Sequence, residues 1–320
     1  MKAILKRCTG IGTALIITVG LLSGCGSAVN SSGGEGKLNI IDFADRSVSF
    51  ESPPQRIVAL GNGEVDIVYA LGGSVVGRPE ASGAFVPDAA KTALEIGSVH
   101  TVDLEKIASV RPDAVLGNYP INMNDVPLLQ GIGIKTVLTQ ANSVDDIKRQ
   151  IELFGKLLEQ EDRAAELVSS IDHAIAEAVK RQHDNEQADG HKPRVLLVYG
   201  APGSYLAALP NSLAGNLLET VGGVNVAAEL PRMQNFPQYA QLNTERVVQA
   251  NPDIILMMTH GNTEEVERGF IREMESSPAW NSLSAVRNGR MHVLPSELFG
   301  TNPGTRVVDA VELLEELLRS

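Results

Sequence analysis

A fourteen-residue pattern occurs twice, 140 residues apart, and it constrains this 320-residue chain more than any other feature. Asp103-Leu-Glu105-Lys-Ile-Ala-Ser-Val-Arg-Pro112-Asp113-Ala-Val-Leu116 returns as Asn243-Thr-Glu245-Arg-Val-Val-Gln-Ala-Asn-Pro252-Asp253-Ile-Ile-Leu256. Each copy reads as a helix, a Pro-Asp turn and a buried strand. Asp103 and Asn243 are good N-caps, because a short side-chain oxygen can accept a free N–H of the first turn. Glu105 and Glu245 follow two positions later, where the helix macrodipole favours negative charge. The apolar triplet after Pro-Asp suits a parallel strand. Arg56-Ile-Val-Ala-Leu60 and Leu71-Gly-Gly73 are echoed by Arg194-Val-Leu-Leu-Val198 and Val221-Gly-Gly223. The chain therefore holds two related lobes.

The first 24 residues read as a targeting segment: Lys2, Lys6 and Arg7 precede an apolar stretch, Ile11 to Leu22, that is short for a membrane span. It ends in Leu22-Ser23-Gly24-Cys25, small residues directly before a cysteine, so Cys25 is the expected lipidation site and mature N-terminus. Cys8 lies in the removed segment, which leaves the mature chain no cysteine pair for a disulfide. Residues 25–37 form a Gly/Ser-rich tether that anchors a folded body to the outer face of a membrane without spanning it. Formal charge is −12, and loss of the three basic residues of the targeting segment takes it to −15. That balance argues against nucleic acid and against direct adsorption to anionic lipid.

Residues 38–158 read as an α/β lobe with strands at Ile57–Leu60, Ser74–Gly77, Ala114–Leu116 and Thr136–Leu138, alternating with helices as in a parallel sheet covered on both faces. Ser143 caps a helix to about Leu158. Residues 159–189 contain a second helix, Glu161 to about Asn185, with apolar residues from Ala164 to Val179 on one face and no Gly or Pro. At about 1.5 Å per residue it is roughly 37 Å long, enough to serve as a rigid spine between lobes. Residues 190–320 form the second lobe, with strands at Arg194–Tyr199, Asp253–Met258 and Arg290–Leu294 and a final helix from about Thr305 to Leu318. The expected fold is α/β: two Rossmann-like lobes joined by one long helix, with a ligand cleft lined by the carboxyl ends of the strands.

The lipid-attachment sequence, paired lobes, helical spine and doubled Glu-x-x-x-x-x-x-Pro-Asp pattern resemble the substrate-binding lipoproteins of ABC importers that take up iron-siderophores, haem and cobalamin. The resemblance covers nearly all of the mature chain and implies a class III periplasmic-binding-protein architecture. Within that family, Pro202-Gly-Ser-Tyr-Leu206, Gly222-Gly-Val-Asn-Val226, Asn251–Leu256, His260-Gly-Asn-Thr-Glu-Glu-Val266 and Leu298-Phe-Gly300 are similar to the haem-binding lipoproteins of the iron-regulated surface determinant type. The resemblance implies haem b as transported ligand, a monomer, and partners in an ABC permease and its ATPase. It also implies docking to the permease through one exposed glutamate per lobe, which falls on Glu105 and Glu245. The haem iron would sit between His260 and the position of a methionine in the N-lobe, which here is His100.

His260 follows the apolar run Ile254–Met258, so its side chain is placed to enter the cleft, and His100 lies in the loop before the Asp103 helix; Tyr119 and Met123 are the next candidates for the second axial ligand. His173, His183, His191 and His292 read as structural or solvated. Backbone N–H groups around Asn62 and Gly63, and around Gly203, Ser204 and Tyr205, could receive the haem carboxylates. Met257 and Met258 read as core. No nucleophile elbow, P-loop or dinucleotide fingerprint is present, so a binding protein is expected rather than an enzyme. The alternatives are a ferric siderophore or cobalamin as cargo, with Arg78 and Arg232 as cations for a siderophore, and a surface haem lipoprotein with redox or peroxidase chemistry.

Overall fold

The structure is a computed structural model that describes residues 37–80, 86–98, 101–201, 204–259, 263–300 and 302–319. The targeting segment, Cys25 and most of the tether lie outside the described residues, as do His100, Gly203 and His260.

The first sheet is built from β1 (Ile57–Ala59), β2 (Val75–Arg78), β3 (Leu94–Glu95), β4 (Ala114–Asn118) and β5 (Lys135–Thr139). Their order is β3-β2-β1-β4-β5 and every pair is parallel. The central strands are apolar because helices cover both faces: β1 is wholly buried, and so are the first four residues of β4, whereas the edge strand β3 is exposed. Helix α1 (Asn62–Ala70) follows β1, α2 (Leu104–Ser109) precedes β4, and α3 (Val144–Leu157) follows β5. Ser143 caps α3 as the sequence suggests, its Oγ accepting from Asp146 N at 3.0 Å. An antiparallel hairpin, Leu38–Ile41 with Ser47–Phe50, precedes the sheet and was not legible as strands.

Helix α4 runs from Glu161 to Asp189, 29 residues, and ends at Gly190 in the left-handed region with φ 69°. It lies close to α3, since a Cβ on Gly155 would stand 2.5 Å from the Cβ of Ala164. Beyond it come β6 (Arg194–Ala201), β7 (Ser204–Ala208), β8 (Val224–Asn225), β9 (Tyr239–Gln241), α5 (Thr244–Ala250), β10 (Ile254–Met258), β11 (Met291–Val293) and α6 (Val307–Arg319). β8, β10 and β11 continue a parallel sheet with β6, whereas β7 runs the other way and pairs antiparallel with both β6 and β9. The second sheet is thus mixed. The short link between Ala201 and Ser204 explains why: a tight turn can join only antiparallel neighbours, and a parallel return needs a crossover of a dozen residues or more.

The repeat is visible in three dimensions. Asp113 Oδ2 accepts the backbone N–H groups of Gln55 and Arg56 at 2.8 and 2.9 Å, and Asp253 Oδ2 accepts that of Arg194 at 2.9 Å. Each Pro-Asp turn therefore fastens the start of its lobe's first strand. Arg56 and Arg194 in turn donate to carbonyls at the ends of the helices, Val110 O at the C-cap of α2 and Ala250 O in the last residue of α5. The residue before each proline is left-handed, Arg111 with φ 45° and Asn251 with φ 43°.

The long helix does not join the lobes alone. One cluster of buried side chains runs from Leu116 and Val137 in the first sheet, through Phe154 and Ile171, to Leu197 and Leu256 in the second sheet and Leu314 of α6. The chain also returns to the N-lobe near its end, where Thr305 N and Oγ1 both donate to Asp66 of α1 at 2.7 Å.

Candidate functional site

In a βαβ unit the helix runs back against the strands, so helix N-termini and strand C-termini share one edge of the sheet. On the first sheet that edge carries the Gly61–Gly63 turn, the hairpin arms Gly97–Ser98 and Thr101–Val102, the segment after β4 and the start of α2. Helix α1 begins at Gly61 with no side-chain cap, which leaves its first N–H groups to other partners. Asn62 Oδ1 is buried there without a hydrogen-bond partner. After β4, Asn122 Oδ1 accepts from Asn118 N at 2.8 Å and its Nδ2 donates to Asp125, which shapes the loop. That loop presents Ile121 and Met123, 48% and 40% exposed, with Tyr119 half-buried beside them in sequence.

The turn after β1 rests on a buried polar cluster that sequence reasoning missed. Glu64 is 1% exposed, and its Oε1 accepts from Gln150 Nε2 at 3.1 Å and Thr139 Oγ1 at 3.3 Å. Asn302 Nδ2, from the returning chain, donates to Gln150 Oε1 at 2.8 Å. Gly61 and Gly63 are glycine for close approach: a Cβ would lie 2.1 Å from Glu64 Oε2 in the first case and 2.6 Å from Asn302 O in the second. Burial pushes the Glu64 carboxyl above its ordinary value of 4.5, against hydrogen bonds from its own N–H, Gln150, Thr139 and Asn302 that pull it down. Burial is the largest of these influences and outweighs both the hydrogen bonds and the favourable helix start. The only sequence signal was an acid in the first turn after Gly61, a common device for helix starts.

On the second sheet, the corresponding edge carries the β6–β7 turn, the ends of β10 and β11 and the start of α5. Thr259, directly before His260, is 1% exposed. Met257 and Met258 are 1% and 3% exposed and fill the cores on opposite faces of β10, in keeping with the core reading. Tyr205 packs edge-on against Phe270, ring centroids 5.1 Å apart, so its ring serves the second core. Of Ser204 only the backbone is described.

Glu105 and Glu245 are both exposed, and among the described residues neither makes an ion pair. Their caps form as expected: Asp103 Oδ1 accepts from Glu105 N and Lys106 N, and Asn243 Oδ1 from Arg246 N. The remaining histidines have local partners or partial burial. His173 lies 3.6 Å from Glu177, His183 contacts Gln187, and His191 Nε2 is 2.8 Å from Asp253 Oδ2. His292, half-buried in β11, is held below its ordinary value by burial and by Arg290. Arg78 is 6% exposed and engaged by Ala90 O, Pro79 O and Glu95, which makes it a brace and not a cleft cation. Among the described residues no three His, Cys, Asp or Glu side chains converge on a metal position. No described helix is long and apolar enough to cross a membrane.

A profile of the periplasmic binding protein family matches residues 57–298. The chain is 31% identical over 244 residues to the high-affinity heme uptake system protein IsdE of Staphylococcus aureus, covering 76% of this chain and 79% of that protein. The crystal structure of S. aureus IsdE complexed with heme superposes with a TM-score of 0.72 at 27% identity, over 83% of this chain and 99% of that one. An ABC transporter substrate-binding protein from Listeria monocytogenes gives the same TM-score at 28% identity, over 83% and 98%.

Proposed function

The chain belongs to the periplasmic binding protein family, and from that premise we propose that it is a lipid-anchored haem-binding protein that hands haem to an ABC permease driven by a separate ATPase. The observation that carries the ligand is the 31% identity to a heme uptake protein across three quarters of the chain. Cys25 carries the lipid and holds the protein on the outer face of the cell membrane. His260 and His100 bind the haem iron from opposite lobes; in sequence His260 comes two residues after β10 ends and His100 falls between the hairpin arms Gly97–Ser98 and Thr101–Val102. Asn62 and Gly63, with Gly203, Ser204 and the Tyr205 backbone, offer N–H groups to the haem carboxylates. Glu105 and Glu245 dock to the permease. The role is binding and delivery, and two histidine ligands would fill both axial positions that redox catalysis on a substrate needs open.

Two imidazoles are strong-field ligands, so the ferric complex should be low-spin and six-coordinate. The test is the absorption spectrum of the purified protein titrated with haem. His260→Ala should lose haem or turn it high-spin, and His100→Met should give a methionine-histidine spectrum. His173→Ala and His292→Ala should leave the spectrum unchanged. Wild-type spectrum and affinity in both His100→Ala and His260→Ala would overturn the site assignment.

A further inference from the structure

Glu64 stands where three separate stretches of chain meet. β5 contributes Thr139, α3 contributes Gln150, and the return from the second lobe contributes Asn302, which also accepts from Gly304 N at 2.9 Å through Oδ1. Gln150 Nε2 donates to Thr139 Oγ1 as well, at 2.6 Å, so the four side chains form one connected network. Its upper surface is the Gly61–Gly63 turn, with Glu64 Oε2 against Gly61 and Asn302 against Gly63. Nothing in the network carries a positive charge. The charged groups on the surrounding elements are engaged elsewhere. On α3, Asp146 accepts from Asn142 N, Lys148 pairs with Asp145 and Asp172, Arg149 lies over the Phe43 ring, and Glu152 and Lys156 are exposed. On α1, Asp66 receives Thr305, and in the return segment Arg306 pairs with Asp309.

We propose that Glu64 is a proton-linked tie between the lobes: with its proton in place it completes the network that clamps the return segment onto α1 and the cleft turn, and when that segment lifts away the carboxyl gives the proton to solvent. The tie is a property of the ligand-free chain and stands independently of the haem reading. The neutral carboxyl fits the same network: Thr139 Oγ1 can accept its proton while the Thr139 hydroxyl turns to Gly117 O at 3.4 Å, and Gln150 Nε2 still donates to it. In the closed form the carboxyl is shielded, whereas in the opened form water reaches it and it ionises as an ordinary glutamate. Closure is therefore fully favoured below the ordinary value of 4.5 and weakens as pH rises from there through the raised value of the closed form. Asp66 is shifted in the same direction, chiefly by burial, and must be separated from Glu64 by its own variant.

The experiment is hydrogen exchange of the full ligand-free chain between pH 5 and pH 8, with protection factors corrected for the intrinsic rate, read at the Gly304 and Thr305 amides. In the wild type protection should fall across that range, since the closed form holds the Glu64 proton more tightly than the opened form. Glu64→Gln, which keeps the shape and both hydrogen-bonding characters, should lose the Glu64 component of that fall and become better protected than wild type at pH 8. Asp66→Asn should retain the Glu64 component of the fall. Thermal unfolding followed over the same range gives a second reading, with the midpoint of Glu64→Gln rising relative to wild type as pH increases. A wild type whose protection and midpoint track those of Glu64→Gln at every pH overturns the proposal.

Discussion

After its first strand the N-lobe turns into a helix at Asn62, whereas after its first strand the C-lobe turns back as an antiparallel strand at Ser204. At the other end of the same strands the two lobes are alike: a left-handed residue, a Pro-Asp turn and an aspartate that fastens the strand start. The repeat has thus been kept at the amino edge of each sheet and lost at the carboxyl edge. The amino edge does one job in both lobes, closing a strand-helix joint, so the same residues serve. The carboxyl edge is where the proposed ligand would lie, and the two sides of one ligand need two different surfaces. Glu105 and Glu245 are the exception. They lie on the carboxyl-edge side at the start of α2 and α5 and still match, which is what a partner with two equivalent contact points would require.

The largest expected effect follows from that exception. Glu105→Ala combined with Glu245→Ala should reduce ligand-dependent transport, or ATPase stimulation in reconstituted vesicles, to background while ligand binding stays at wild-type strength. Each single variant should be impaired to a similar degree. Full transport by the double variant would reduce both glutamates to first-turn acids that only complement the helix dipole, worth about 0.3–1 kcal/mol each.

At the diverged edge, Gly63→Ala should destabilise the protein by about 1–3 kcal/mol, the usual cost of forcing an extra carbon into a filled site. The new Cβ would meet Asn302 O at 2.6 Å, and backbone cannot swing aside as a side-chain tip can. Gly131→Ala, with nothing within 4 Å of its would-be Cβ, is the control and should be neutral or slightly stabilising in urea unfolding. Equal midpoints for the two variants would mean that the return segment holds the turn only loosely.

What could be read from the chain follows the same division. The four apolar runs of the N-lobe and the three of the C-lobe became strands because uninterrupted β-branched and aliphatic residues have no other buried use at that length, and Ser143 caps its helix as its chemistry dictates; the spine helix runs past the expected Asn185 to Asp189 because the polar run carries no breaker before Gly190. β3, β8 and β9 are two or three residues long and their pairing is set by what lies beside them, so no local pattern announces them. The network of Glu64, Thr139, Gln150 and Asn302 joins residues up to 238 positions apart and leaves no periodicity to detect. Arg78 illustrates the opposite error: a lone arginine after a strand reads as a ligand cation, yet it is consumed by two carbonyls and Glu95.

The conserved design of the amino edge can be weighed directly. Asp113→Ala removes the acceptor for two backbone N–H groups and should cost about 1–2 kcal/mol, the low part of the range for a lost partner because water can reach the site. Asp253→Ala removes one backbone contact and the exposed His191, and should cost about 1 kcal/mol or less. Chemical denaturation of the two variants gives the ordering. A larger loss at Asp253 would show that the second lobe depends more on its turn than the hydrogen bonds indicate.

The smallest effect separates backbone from side chain at a position where both lobes adopt the same conformation. Arg111 and Asn251 have φ of 45° and 43°, a region that costs an ordinary L-residue about 1–2 kcal/mol and asparagine less. Replacing Arg111 by glycine relieves that strain, while the freer unfolded chain offsets up to about 1 kcal/mol of the gain, so a net stabilisation of roughly 0.5 kcal/mol is expected. At Asn251 there is less strain to relieve and more to lose. Its Nδ2 donates to Ser284 Oγ and its Oδ1 accepts from Ser284 N, both at 2.9 Å, tying the end of α5 to the short helix Ser284–Arg287. Asn251→Gly breaks both bonds and should destabilise by about 1 kcal/mol. The two urea midpoints should therefore move in opposite directions for the same substitution at equivalent places. Were both to rise, backbone strain alone would govern the position, and the Ser284 contacts would count for nothing in holding the second lobe's turn.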